Sequence, residues 1–199
     1  MRKLIFTLIL ILIVLISGCI EQKEVSFDLA GKKVLMIVAP KNFRDEELLR
    51  PKEILEKAKA NVTIASKGVK TAKGMLGSSV SVDLDLSQVN VKDYDAVVFV
   101  GGTGAEVYFN DSQALKIAKE AYEQGKVVAA ICIAPSILAN AGILEGKKAT
   151  AFPSEASNLE ANGAIYTGEL VTIDGRIITA KGPEAAVQFG NAIAKALAS

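Results

Sequence analysis

The 199-residue chain has no histidine, no tryptophan and only two cysteines. Without histidine there can be no Ser-His-Asp triad and no Cys-His dyad. Histidine-ligated zinc is excluded as well, and so is a histidine pH switch. Two cysteines are too few for a cysteine-only zinc site or a disulfide framework, so no metal is expected. Neither sign of charge is in excess: 23 Lys and Arg stand against 22 Asp and Glu. That balance leaves no electrostatic footprint for nucleic acid. Any acid–base or nucleophilic chemistry must therefore come from Cys, Ser, Thr, Tyr, Lys, Asp or Glu.

What is present begins with an apolar run. Arg2 and Lys3 precede residues 4–16, which are apolar except for Thr7. Thirteen residues suit a signal core but are short for a bilayer of about 30 Å. Ser17 and Gly18 then lead into Cys19, which resembles a lipobox, where the chain is cut before a cysteine that carries lipid. Residues 1–18 are read as a signal segment, or as an uncleaved membrane anchor, with Cys19 as the lipidation site. Either way the domain is expected on the extracytoplasmic face, attached to the membrane through its N-terminus. Removing residues 1–18 takes Arg2 and Lys3 with it and leaves 21 basic against 22 acidic side chains in 181 residues. That length suits one α/β domain and is too short for the two lobes of a typical solute-binding lipoprotein. Residues 19–31 read as a tether and 32–199 as the domain.

Along the domain, apolar runs alternate with amphipathic stretches. Strands are expected at 33–39, 61–66, 95–100, 126–131 and, more briefly, 148–152. Helices are expected at 45–60, 114–124, 134–140 and 183–198, with Asp111 or Ser112 as an N-cap and Pro135 in a first turn. Asp174-Gly175 between two apolar runs reads as a hairpin. The Ser-Val-Ser-Val-Asp-Leu-Asp-Leu alternation within 75–86 suggests an edge strand. Near-continuous apolar strands separated by helices imply a three-layer α/β sandwich: a mainly parallel, doubly wound, flavodoxin-like sheet covered on both faces.

In such a sheet, sites form beyond the C-terminal strand ends. Cys132 stands between an apolar strand and a helix start, with Ala130 and Ala134 on either side. Small neighbours there fit a strand–Cys–helix nucleophile elbow, and a helix N-terminus favours a thiolate. A free cysteine is also among the commonest buried residues, so spacing alone leaves both readings open. The Gly101-Gly102-Thr103-Gly104 loop permits close backbone approach, and the N–H groups of Gly102 and Ile133 are candidates for a shared oxyanion site. Its spacing matches neither a dinucleotide fingerprint nor a Walker loop, so no cofactor is expected. Arg44-Asp45-Glu46-Glu47 opens a helix, where acidic residues usually sit in solvent and complement the dipole. Pattern alone does not say which of them turns inward.

These features, in this order, resemble the PfpI superfamily, which includes intracellular cysteine proteases and the parkinsonism-associated deglycase, on the class I glutamine amidotransferase-like fold. The resemblance runs from about Lys32 to Ala198. It is carried by Phe43-Arg44-Asp45-Glu46-Glu47-Leu48-Leu49-Arg50-Pro51, by Val98-Phe99-Val100-Gly101-Gly102 and by Val128-Ala129-Ala130-Ile131-Cys132-Ile133-Ala134-Pro135. The segments at 140–147 and 174–183 match later parts of the family. The resemblance implies a reactive thiol at Cys132, a partner carboxyl at Glu47 and backbone donors at Gly102 and Ile133, in a pocket with Gly101, Thr103 and Phe152. It also implies assembly as a homodimer or larger homo-oligomer. Two positions depart from it. Protease-like members carry histidine directly after the cysteine, where this chain has Ile133. Deglycase-like members often carry one before a later proline, where this chain has Phe152 before Pro153. A Cys-His peptidase is disfavoured, since a general base contributes about 10²–10⁴-fold.

Three functions follow as expectations. The first is a Cys-dependent enzyme of glyoxalase, deglycase or hydratase type, with Cys132 attacking a small reactive carbonyl compound and Glu47 moving the proton. The second is a non-enzymatic redox-sensing or stress-protective protein, in which the thiol is oxidised selectively. The third is a catalytically silent extracytoplasmic module binding a small molecule. A Cys19–Cys132 disulfide is disfavoured, because lipidation would consume Cys19.

Overall fold

The computed structural model describes residues 27–199. The signal segment, Cys19 and most of the tether lie outside the described residues. Chain order runs β1 (Lys33–Ile37), β2 (Lys41–Phe43), α1 (Asp45–Lys57), β3 (Asn61–Ser66), β4 (Thr71–Gly74), β5 (Ser79–Ser81), β6 (Leu84–Asp85) and β7 (Ala96–Phe99). It continues with α2 (Ser112–Glu123), β8 (Val127–Ile131), α3 (Pro135–Asn140), β9 (Lys148–Ala149), α4 (Ala156–Ala161), β10 (Ile165–Tyr166), β11 (Val171–Asp174), β12 (Ile177–Ala180) and α5 (Ala186–Ala198).

The main sheet has the order β11-β12-β8-β7-β1-β3-β6. Its strands are parallel except β11, which returns antiparallel beside β12 through a Gly175-Arg176 turn, one residue later than expected because Asp174 still pairs with Ile177. The β7 and β8 strands are buried throughout, and β1 along all but its first residue. That is why they read as unbroken apolar runs: helices cover both faces, and a strand with no wet side has no reason to alternate. From β1 the chain crosses to β3 on one side, and later to β7 on the other. The reversal puts a crevice at the C-terminal ends of β1 and β7, with the end of β8 adjoining it.

Leu29, within the segment read as tether, is fully buried, and its N–H donates to Ala58 O at 2.6 Å. Two expectations change. The alternating stretch 75–86 is not one edge strand: Ser79–Ser81 joins a separate small sheet ordered β2-β4-β5, while Leu84–Asp85 edges the main sheet beside β3. The expected strand at 148–152 shrinks to Lys148–Ala149, paired only with β10. Ala151 beyond it is buried and Phe152 turns outward. Among the described residues no helix is long and apolar enough to cross a membrane.

Candidate functional site

Cys132 is the residue on which β8 turns into the next helix. Its N–H donates to Ala180 O of β12 at 2.9 Å, continuing the ladder by one residue. Its backbone then switches to φ 64°, left-handed for a non-glycine residue. Such a conformation persists only where the surroundings over-determine it. Here Phe152 N–H clamps Cys132 O at 2.8 Å on the far side, and Ala134 N–H closes onto Ile131 O at 3.1 Å. The side chain is thereby presented at the crevice, 9% exposed.

Glu47 reaches the same point from α1. It is fully buried, and neither carboxyl oxygen has a hydrogen bond of good geometry among the described residues. The Cys132 thiol and the Gly101 N–H are the polar groups lying against it. Gly101 shows how tightly the three meet. A Cβ added there would stand 2.5 Å from Glu47 Oε2 and 2.6 Å from both Cys132 Cβ and Ile131 O. Gly102 adds a second constraint with φ 89°, and a Cβ there would come within 2.6 Å of Asn42 O. The diglycine is therefore a packing requirement of the site.

The other acidic residues of the cluster part ways. Asp45 is buried and accepts from Leu76 N and Ser78 N, both at 2.8 Å, holding the β4–β5 turn. Glu46 accepts from Arg44 Nε at 2.8 Å and Nη2 at 3.1 Å. Arg44 was not singled out from its sequence, because a charge among charges reads as a solvated face. The signal it did carry is its place directly before the helix.

Electrostatics corrects one expectation. Burial pushes the Cys132 thiol up, to about 12, and the neighbouring Glu47 charge adds to the rise. The N–H groups of Gly102 and Ile133 both donate toward the sulfur and pull the other way, but do not prevail. Helix α3 is six residues long, too short to offset burial with its dipole. Burial likewise raises the Glu47 carboxyl to about 8, partly opposed by the Cys132 contact and the Arg44 charge. The resting pair at neutral pH is thus a thiol beside a carboxylic acid. Losing one proton leaves either thiolate with acid or thiol with carboxylate, two forms of equal net charge. The first of these is a nucleophile with a proton donor beside it.

The remaining candidates fall around this centre. Gly101 is buried under it; Thr103 is exposed and opens the 3₁₀ turn Thr103–Tyr108. Ile133 is 9% exposed, and Phe152 is 45% exposed with only its main chain touching the elbow. Neither supplies a base. Among the described residues no cluster of metal-binding side chains occurs.

A mainly parallel α/β domain with a cysteine on a left-handed strand-to-helix turn, faced by a buried carboxyl, defines an elbow-thiol protein. Residues 32–196 match the DJ-1/PfpI family, and the chain belongs to it. It is 41% identical to an uncharacterized protein of Methanocaldococcus jannaschii, over 98% of this chain and 95% of that one. It is 36% identical to a deglycase of Pyrococcus horikoshii, over 76% of this chain and 90% of the relative. Among solved structures, a ThiJ/PfpI domain protein from Brachyspira murdochii superposes with a TM-score of 0.82 at 36% identity, covering 84% of this chain and 98% of that one. Drosophila melanogaster DJ-1beta does so at 0.77 and 32%, covering 84% and 90%.

Proposed function

We propose that the protein is a deglycase- or glyoxalase-like enzyme of small reactive carbonyl compounds that works without a histidine base. The observation that carries this reading is the fully buried, otherwise unpartnered Glu47 carboxyl packed with Cys132 around Gly101. Relatives named as deglycases support the substrate class. In the reacting form the Cys132 thiolate adds to the carbonyl carbon. An S–C bond forms, and the C=O π pair moves onto oxygen, which takes the proton held by Glu47. The products are a hemithioacetal and a Glu47 carboxylate, which then serves as base for the next proton transfer. The Gly102 and Ile133 N–H groups, which donate toward the sulfur, would stabilise the thiolate before it attacks.

Cys132→Ala is expected to abolish turnover of a 2-oxoaldehyde while leaving the far-UV circular dichroism unchanged. Equal turnover by variant and parent sinks the reading. A second function, redox sensing, is favoured by the free, 9% exposed thiol on a left-handed backbone, and Toxoplasma gondii DJ-1 has been solved in an oxidized form. Peroxide would take the thiolate to sulfenate and leave as water. Mass spectrometry after mild peroxide treatment decides: an unmodified Cys132 beside oxidised surface methionines removes it. Membrane attachment rests on residues 1–19 alone. Cys19→Ala is expected to release the chain from the membrane fraction, and a variant that stays there sinks lipidation at that thiol.

A further inference from the structure

Arg44 lies at the rim of the Cys132 site. Its N–H donates to Gly101 O at 3.0 Å, and Gly101 is the residue pressed between Glu47 and Cys132. Its side chain is 31% exposed, whereas Glu47 and Cys132 are almost wholly buried. Its charge acts on both, lowering Glu47 and itself responding to the Cys132 thiolate. A lone guanidinium there would attract carboxylate-bearing reactants, because its planar fork matches a carboxylate. The Nε/Nη2 edge of Arg44 is already taken, and its charge compensated, by a carboxylate. Residues two apart do not face each other on a helix, but Arg44 precedes α1 in extended backbone, φ −80° and ψ 118°. That lets its side chain lie back across the first turn, where Glu46 takes Nε and Nη2 with its two oxygens.

We propose that Glu46, by compensating the Arg44 charge beside the site, makes Cys132 select uncharged electrophiles over carboxylate-bearing ones. The substrate class narrows accordingly to uncharged carbonyl compounds, such as 2-oxoaldehydes and carbonyl adducts without a nearby acid group, in preference to 2-oxo acids. This rests on Cys132 being the reacting group.

The test compares alkylation of Cys132 in the full chain by iodoacetamide and by iodoacetate, reagents that differ by one negative charge. Both are displaced by the same thiolate, so any change in thiolate fraction cancels in the ratio of rates. Releasing one unit charge within a few ångströms of an incoming carboxylate is worth about tenfold in a partly screened site. Glu46→Gln is expected to raise the iodoacetate-to-iodoacetamide ratio about tenfold. Arg44→Gln is expected to lower it severalfold, because Glu46 is then left unopposed, and the double variant should return toward the parent. A loosened α1 start would move both reagents together. Ratios that stay within twofold of the parent in both single variants, or that move in the same direction, overturn the proposal. Absence of 2-oxoaldehyde turnover in the parent would sink the proposed function and leave this ratio readable.

Discussion

At the scale of single residues, the site is governed by one proton shared between Glu47 and Cys132. The acid at about 8 and the thiol at about 12 put the first loss mainly on Glu47, and the thiolate-with-acid form is the minor partner that grows along with that singly deprotonated pair. Alkylation of Cys132 by iodoacetamide is therefore expected to rise through an inflection near pH 8. Glu47→Gln should erase that inflection. Burial remains in the variant, so its reactivity should begin only above the ordinary thiol value of 9.0. Superimposable profiles for parent and variant would show that the carboxyl does not control the thiol. The local pattern leaves Cys132 open between a buried thiol and an elbow, and only the family resemblance picks out Glu47. The direction of the thiol shift is not legible from either. A helix start after a strand suggests a lowered pKa, whereas the outcome depends on how much water the fold removes and on a carboxyl 85 positions away in the chain.

At the scale of elements, the loops above the sheet are set by one acidic cluster doing three jobs. Glu47 faces the thiol and Glu46 holds Arg44. Asp45 ties the β4–β5 turn to α1 through the N–H groups of Leu76 and Ser78. Asp45→Ala would strip both donors of their partner in a partly buried place, at a cost of about 1–3 kcal/mol. It should appear as faster hydrogen exchange confined largely to residues 71–81, with the β1, β7 and β8 amides still protected. Uniform loss of protection would mean that the small sheet is integral to the global fold. That sheet escaped the sequence because β2 and β5 are three residues each. A period of two says that a segment is a strand; it does not say which sheet receives it.

At the scale of the whole molecule, stability should depend on pH with a definite sign. The Glu47 carboxyl is raised on folding, so the native state holds its proton longer than the unfolded chain does. Its contribution is complete below the ordinary value of 4.5 and is lost as pH rises to about 8, by a few kcal/mol. Asp45 and Asp111 are held below their ordinary value of 3.8, so their contribution is present above it and is lost as pH falls. Calorimetry is expected to find the highest Tm on the acid side of neutrality, near pH 4–5. Glu47→Gln should flatten the decline between pH 5 and 8. A parent Tm that climbs from pH 5 to 8 would contradict a buried, neutral Glu47.

The sequence by itself determined the layered α/β class, the central apolar strands, a strand-to-helix junction at Cys132 and the absence of any histidine, including at Ile133 and Phe152. These follow from local properties: runs of apolar residues, small neighbours at a turn, and the presence or absence of a side chain. Only the tertiary structure decided that Asp45, Glu46 and Glu47 have three different partners, that the Arg44 main chain holds Gly101 beside the thiol, and that the thiol is raised and not lowered. Each of those depends on distances between residues far apart in the chain and on the water excluded between them, neither of which a local pattern encodes.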